Sequence, residues 1–252
     1  MTPLHLVRLV LDRRALARLA ANHRLSQAVD EGYLLHAGLA QLFATSAERA
    51  EVPLHNFAVD DTRAESVPQP GSLFVLAYAA TNDAGLQAQM GPSRLSMLQH
   101  CVSTEMPEFE RGQRLGFRTR VCPIVRTRIP GDRPLGTDRH GKAKAREMDA
   151  FVHATLGVPR ETRVVREDVY ADWLRAQVAT RGGAEIEDVR LSAFQREGMR
   201  RRKSPAMERP NALMEGTLTV TDPAAFRALL ARGIGRHRAF GFGMLLVRPP
   251  SR

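Results

Sequence analysis

Strands and helices read twice in the order β-α-β-β-α-β along this 252-residue chain, which predicts an α+β fold of two tandem ferredoxin-like (RRM-like) βαββαβ domains, residues 1–110 and 111–252. Three observations carry that expectation. An apolar strand opens the chain, a break at Arg111 and Gly112 divides it, and a strand, a capped helix and a last strand close it.

In the first half, HLVRLVL at residues 5–11 is too apolar for an edge and predicts a central, well covered strand. Residues 13–44 are helical, interrupted near Asn22, and Ala28, Leu35, Leu39, Leu42 and Phe43 gather on one face at helical spacing. Residues 54–61 and 72–80 predict two strands joined by a Pro- and Gly-containing loop, 93–98 a short helix, and 101–109 a fourth strand. In the second half, Leu115, Phe117, Thr119 and Val121 alternate in a strand over 113–121. Residues 129–145, rich in Pro, Gly and cations, predict a flexible insertion. Helices over 147–156 and 169–180 and strands over 186–194 and 213–220 follow. Asp222 can cap a helix whose first turn holds Pro223, Phe226, Leu229 and Leu230 form its apolar stripe, and Gly233 stops it. Residues 244–247 complete the unit as a strand.

Composition narrows the function. Lys plus Arg number 37 against 27 Asp plus Glu, a net charge of +10. Such an excess favours a polyanionic partner, usually nucleic acid, because cations on phosphates release condensed counterions. Arginine, which suits bidentate phosphate contacts and stacking on bases, supplies all but Lys142, Lys144 and Lys203. No run of about 18 apolar residues is present to span a membrane. Residues 1–10 carry no secretory signal, and Cys101 and Cys122 are too few for a disulfide framework or a zinc site. A reducing, cytoplasmic setting without metal or cofactor is expected.

Three constellations can carry chemistry. Tyr33 and His36 lie one helical turn apart and off the Leu35/Leu39/Leu42 stripe, so both can leave the core and line a groove. Cleaving RNA without a metal needs a base for the 2′-hydroxyl and an acid for the 5′-oxygen. Imidazole can serve as either, and a phenol can orient a phosphate or stack on a base. An ordinary boundary histidine beside an aromatic ring would share this spacing. The second constellation is GIGRHRAFGFG, where Gly233, Gly235, Gly241 and Gly243 interleave with Arg236, His237 and Arg238. It follows a helix and opens a strand, so it is neither a dinucleotide fingerprint nor a P-loop, and it predicts polyanion contact. The third is the basic run Arg200, Arg201, Arg202 and Lys203 between two strands, suited to clamping an RNA stem or simply to solvation. Among the other histidines, His5 is read as structural and His23 as a candidate second acid or base. His55, His100, His140 and His153 show no partner pattern.

Taken together, HLVRLVL, GYLLHAGLAQLF, RLGFRTRVCPIVRTR, LMEGTLTVTDPAAFRALL and GIGRHRAFGFGMLLVRP resemble, in order, segments of the CasE-type CRISPR endoribonucleases. The resemblance implies two ferredoxin-like domains and metal-independent cutting of CRISPR repeat RNA at the base of a stem-loop. The implied products are a 5′-hydroxyl and a 2′,3′-cyclic phosphate, with the enzyme staying bound alongside other Cascade subunits. It matches the family's helix histidine and tyrosine to His36 and Tyr33, and its basic hairpin to Arg200–Lys203. Gln41 stands where some members carry a lysine. Two other readings stay open: a non-catalytic cap that holds an RNA stem-loop, and a DNA-binding regulator. The nuclease reading requires Tyr33 and His36 outside the core, on the side of Arg236 and Arg201.

Overall fold

A computed structural model describes residues 3–22, 31–43, 52–60, 71–91, 94–127, 146–159, 161–199 and 207–250. The first half runs β1 (His5–Asp12), α1 (Arg13–Asn22), α2 (Glu31–Leu42), β2 (Leu54–Val59), β3 (Ser72–Ala79), α3 (Asp83–Ala88), α4 (Arg94–Met97) and β4 (Leu98–Glu105). Its strands form an antiparallel sheet in the order β2-β3-β1-β4. The second half runs β5 (Arg114–Val121), β6 (Ile124–Thr127), β7 (Arg146–Asp149), α5 (Ala150–Thr155), α6 (Arg166–Arg181), β8 (Ala184–Met199), β9 (Met207–Val220), α7 (Pro223–Arg232) and β10 (Leu245–Arg248). Its main sheet has the order β10-β5-β9-β8. Each sheet places the last strand of its unit beside the first and the second strand at the far edge. Both halves are therefore ferredoxin-like, as the sequence predicts.

Strand β1 is central, and both faces of its sheet are covered. Val7, Leu9 and Leu11 pack with Leu16, Leu35, Leu39 and Leu42 of α1 and α2. Leu4 and Leu6 turn the other way, and with Ala58 and Tyr78 they join the core of the second unit, around Phe117, Phe226 and Leu245. A strand buried on two sides gains nothing from alternating polarity, which explains its continuous apolar run. Phe109 extends the same weld, its ring meeting Phe226 edge-on at 4.9 Å. Polar groups cross the junction too. The Tyr78 hydroxyl donates to the Leu245 carbonyl at 2.9 Å. The Asn56 amide nitrogen donates to the carbonyls of Leu230 and Ala231 at 2.7 and 2.8 Å, closing the C-terminal end of α7 from the opposite domain.

Local chemistry places most boundaries. Asp222 caps α7 by accepting from the Ala225 amide, and Gly233 ends it with φ 69°. Residues 147–156, expected to be helical, begin instead in β7, which pairs with β6. The helix starts only at Ala150, because the Asp149 carboxylate caps it by accepting from the Phe151 amide. Strand β6 and helix α3 are additions to the expected elements, and Asn82 caps α3 by accepting from the Gly85 amide. The β8–β9 hairpin is longer than its expected strands. Its outer half is held by polar burial, with Arg209 and Asn211 at 8% and 4% exposure, and Pro210 interrupts the strand signal. The expected insertion at 129–145, the basic run at 200–203, and His23 and Ala28 lie outside the described residues.

Replacing Tyr78 by Phe removes the hydroxyl that joins the two sheets and leaves the Leu245 carbonyl without it. Stability is expected to fall by about 1 kcal/mol, read from the midpoint of urea unfolding, with one cooperative transition retained. An unchanged midpoint would show that this bond contributes nothing to the weld.

Candidate functional site

The weld brings α2 of the first unit against the loop between α7 and β10 of the second. Gly32 makes the approach close: a Cβ there would lie 2.4 Å from the Phe240 carbonyl oxygen. The next residue, Tyr33, lies nearly parallel to Phe240, centroids 6.4 Å apart, and one turn further on the His36 ring tilts against the same phenyl at 5.8 Å. Leu35, Leu39 and Leu42 are buried, while the tyrosine and histidine, turned off that stripe, are only partly buried. From the other side the His237 ring reaches Phe240 at 6.2 Å. Phe240 is thus the hub on which a helix residue pair and a loop histidine converge. Its place in the glycine-rich motif is the one signal the sequence gives of that role.

The loop has a defined shape. The Ile234 amide donates to the Gly243 carbonyl at 2.7 Å and the Gly243 amide to the Arg120 carbonyl at 2.6 Å, tying its end to β5. Gly243 adopts φ 82°, and a Cβ there would come 2.0 Å from the Ile234 carbonyl oxygen. Inside the loop, a 3-10 turn over Arg238–Phe240 engages the amides of Phe240 and Gly241. The amides of Ile234, Phe240, Gly241 and Gly243 are therefore bonded within the protein. His237 holds φ 61°, the one non-glycine residue with positive φ among the described residues. Its side chain is turned inward, to 6% exposure.

A single carboxylate organises the cations. Glu147, on β7, meets Arg209 at 2.7 Å, Arg236 at 2.8 Å and His237 Nε2 at 3.4 Å. The last contact is long for a hydrogen bond, and the two guanidinium contacts define the cluster. The His237 imidazole, Arg209 and Arg236 hold the Glu147 carboxyl at about 2, well below its ordinary 4.5, against the opposing effect of burial. Of the expected loop cations, Arg236 and His237 are thus tied down, while Arg238 points elsewhere, donating to the Arg232 carbonyl.

These groups line a cleft of about 1200 Å³ between the two units. Its walls include His36, His55, Arg126, Arg181, Arg209, Arg236, His237 and Arg238. The volume exceeds the range of roughly 300–1,000 Å³ usual for small-molecule pockets. Among the described residues its one acidic wall residue is Glu147. Burial lowers the His36 and His55 pKa values from their ordinary 6.5, favouring the neutral ring in both. No sequence signal marks His55, Arg126, Arg181 or Trp173, since they reach the cleft from β2, β6 and α6 with no common spacing. Gln41, at the far end of α2, is not among the cleft residues.

Comparison with known proteins places this architecture. The family model described as CRISPR associated protein matches residues 4–249. The CRISPR endoribonuclease Cse3, solved bound to a 19-nucleotide RNA, superposes with a TM-score of 0.58 at 23% identity, covering 98% of this chain and 100% of that one. Cas6e of Escherichia coli K-12 gives 0.57 at 21% identity, with 98% and 100% covered. A chain of a CRISPR RNA-guided surveillance complex, pre-nicking, gives 0.54 at 17%, with 98% and 100% covered. At these identities the likeness speaks for the fold. No curated protein matches the sequence.

Glu147→Gln keeps the shape of the cluster and removes its charge, leaving Arg209 at 8% exposure without its carboxylate. A loss of roughly 2–4 kcal/mol is expected, at the low end because the cluster touches solvent. The folded carboxyl titrates at about 2 and the ordinary one at 4.5, so its contribution is full above 4.5 and is lost as pH falls toward 2. Urea unfolding of both proteins should show their stability gap closing over that window, and a gap independent of pH would refute the assignment.

Proposed function

The chain belongs to the CRISPR associated protein family, and on that premise we propose that it is a CasE-type endoribonuclease that cuts CRISPR repeat RNA at a stem-loop. The observation that carries this reading is His36 on the wall of a cleft lined by arginines, with Tyr33, itself not a wall residue, stacked beside it on Phe240. An ordinary boundary histidine would need no such cleft. The ferredoxin-like fold adds support, since RNA-recognition modules share it. No helix among the described residues is long and apolar enough to cross a membrane.

The chemistry is metal-independent transesterification. The 2′-oxygen attacks the adjacent phosphorus while the bond from phosphorus to the 5′-oxygen breaks, giving a 2′,3′-cyclic phosphate and a 5′-hydroxyl. His36, whose neutral form burial favours, is suited to take the 2′-hydroxyl proton. The Tyr33 hydroxyl donates a hydrogen bond to the scissile phosphate. The leaving oxygen takes its proton from water or an acid of the cleft. The glycine-rich loop and the basic run Arg200–Lys203 hold the RNA, shape and a few base edges giving specificity. The product stays bound, and the chain serves with other Cascade subunits. Its likeness to a chain of a surveillance complex supports that role.

Purified protein, labelled repeat hairpin and EDTA test this directly. Wild type should yield a shortened product ending in a cyclic phosphate. His36→Ala should slow single-turnover cleavage at least ~100-fold while RNA affinity stays within about threefold, half the tenfold step that 1.4 kcal/mol represents on a logarithmic scale. Binding without cutting by wild type would favour the non-catalytic cap instead.

The pH profile follows from the depressed His36 pKa. With His36 as base, its neutral form is required, so the cleavage rate should be flat near pH 7 and fall with acid, with a midpoint below 6.5. A rate that rises as pH is lowered would assign His36 the acid's part.

A further inference from the structure

Several arginines on this molecule have a carboxylate. Arg209 and Arg236 share Glu147, Arg118 and Arg190 share Glu215, Arg166 meets Asp149, and Arg175 meets Asp172. Three others do not, two of them on the cleft wall and the third in contact with one of these. Arg181 is the last residue of α6, Arg232 is the last of α7, and Arg238 sits in the loop that follows. No ion pair joins any of them to a carboxylate among the described residues. They are nevertheless held together. The Arg238 guanidinium donates to the Arg232 carbonyl, and Arg181 and Arg238 both line the cleft. Burial, then the charges of Arg238 and Arg232, make the Arg181 guanidinium easier to deprotonate than usual, a sign that the three charges feel one another.

We propose that Arg181, Arg232 and Arg238 form an anion site that takes a backbone phosphodiester of the bound RNA. This rests on the RNA-processing reading and deepens it, separating two sets of cations. Arg209 and Arg236 share the Glu147 carboxylate and shape the loop. Arg181, Arg232 and Arg238 carry uncompensated charge and meet the ligand. A plainer account is that arginines at helix C-termini complement the helix dipole. That explains one arginine on α6 and one on α7. It also accounts for the Arg238 guanidinium on the Arg232 carbonyl, but not for Arg181 and Arg238 facing one cleft, where like charges repel until an anion arrives. Guanidinium forks suit phosphate oxygens better than ammonium groups do, and all three residues are arginine.

The test measures affinity for a repeat hairpin with single-stranded flanks, by fluorescence anisotropy over a range of salt. Wild type is compared with Arg181→Gln, Arg232→Gln, Arg238→Gln and the double variant Arg181→Gln/Arg238→Gln. Arg175→Gln, on α6 but paired with Asp172, is the control. Losing one phosphate contact should reduce the slope of log affinity against log salt by about 0.7–0.9. Each single variant should raise Kd about 3–10-fold at moderate salt, the double variant should exceed either single, and the control should match wild type. Variants that melt earlier yet keep the wild-type slope and affinity would overturn the site and leave the helix-dipole account. If Arg181→Gln does not fold, Arg238→Gln, in a surface turn, decides between the two accounts by the same slope. Wild type that binds RNA without cutting it would sink the nuclease reading and leave this site standing, because the slope reports binding alone.

Discussion

Everything at the cleft depends on one sheet being buried on both faces. The β2-β3-β1-β4 sheet carries α1 and α2 on one side and the second unit on the other. Side chains from β1 and β3 alternate between two hydrophobic cores, so neither unit can slide without opening apolar surface to water. Tyr78 and Asn56 then fix the register with hydrogen bonds across the junction. Inter-domain contacts within a chain are commonly polar and mobile. This one resembles the interior of a domain, and the cleft inherits its rigidity.

That rigidity lets a helix and a loop far apart in sequence act as one site. Gly32 permits α2 to touch the Phe240 carbonyl, and Phe240 then serves as a floor for Tyr33, His36 and His237. The rings are held by packing. Glycines elsewhere in the loop shape its turn, while side chains supply its chemistry.

Charge is distributed with the same economy. A chain with +10 net charge must fold without its cations repelling one another apart. Glu147 resolves this locally, gathering Arg209, Arg236 and His237 around one carboxylate. Arg181 and Arg238 keep their charge and line the cleft. Attraction for a polyanion is thus directed toward the place where the imidazole and phenol stand.

Periodicity and capping residues made the two βαββαβ units legible in the sequence. Apolar burial repeats at the spacing of the element, and Asp222 with Pro223 marks a helix start by local hydrogen bonding alone. Tyr33 and His36 were legible for the same reason, since helical geometry sets them side by side and off the buried stripe. Strand β6 and the outer part of the β8–β9 hairpin were not, because they are stabilised by pairing partners and by the buried Arg209 and Asn211 rather than by an apolar pattern. Nor were Glu147, His55, Trp173 and Arg181. Their role comes from distance across the weld between two units, and no local spacing encodes which residues of β2, β7 and α6 will meet a loop near residue 240. Sequence by itself determined the elements, their order and the charge. Tertiary structure decided which cations share a carboxylate and which line the cleft without one, because ion pairing is set by separation in space.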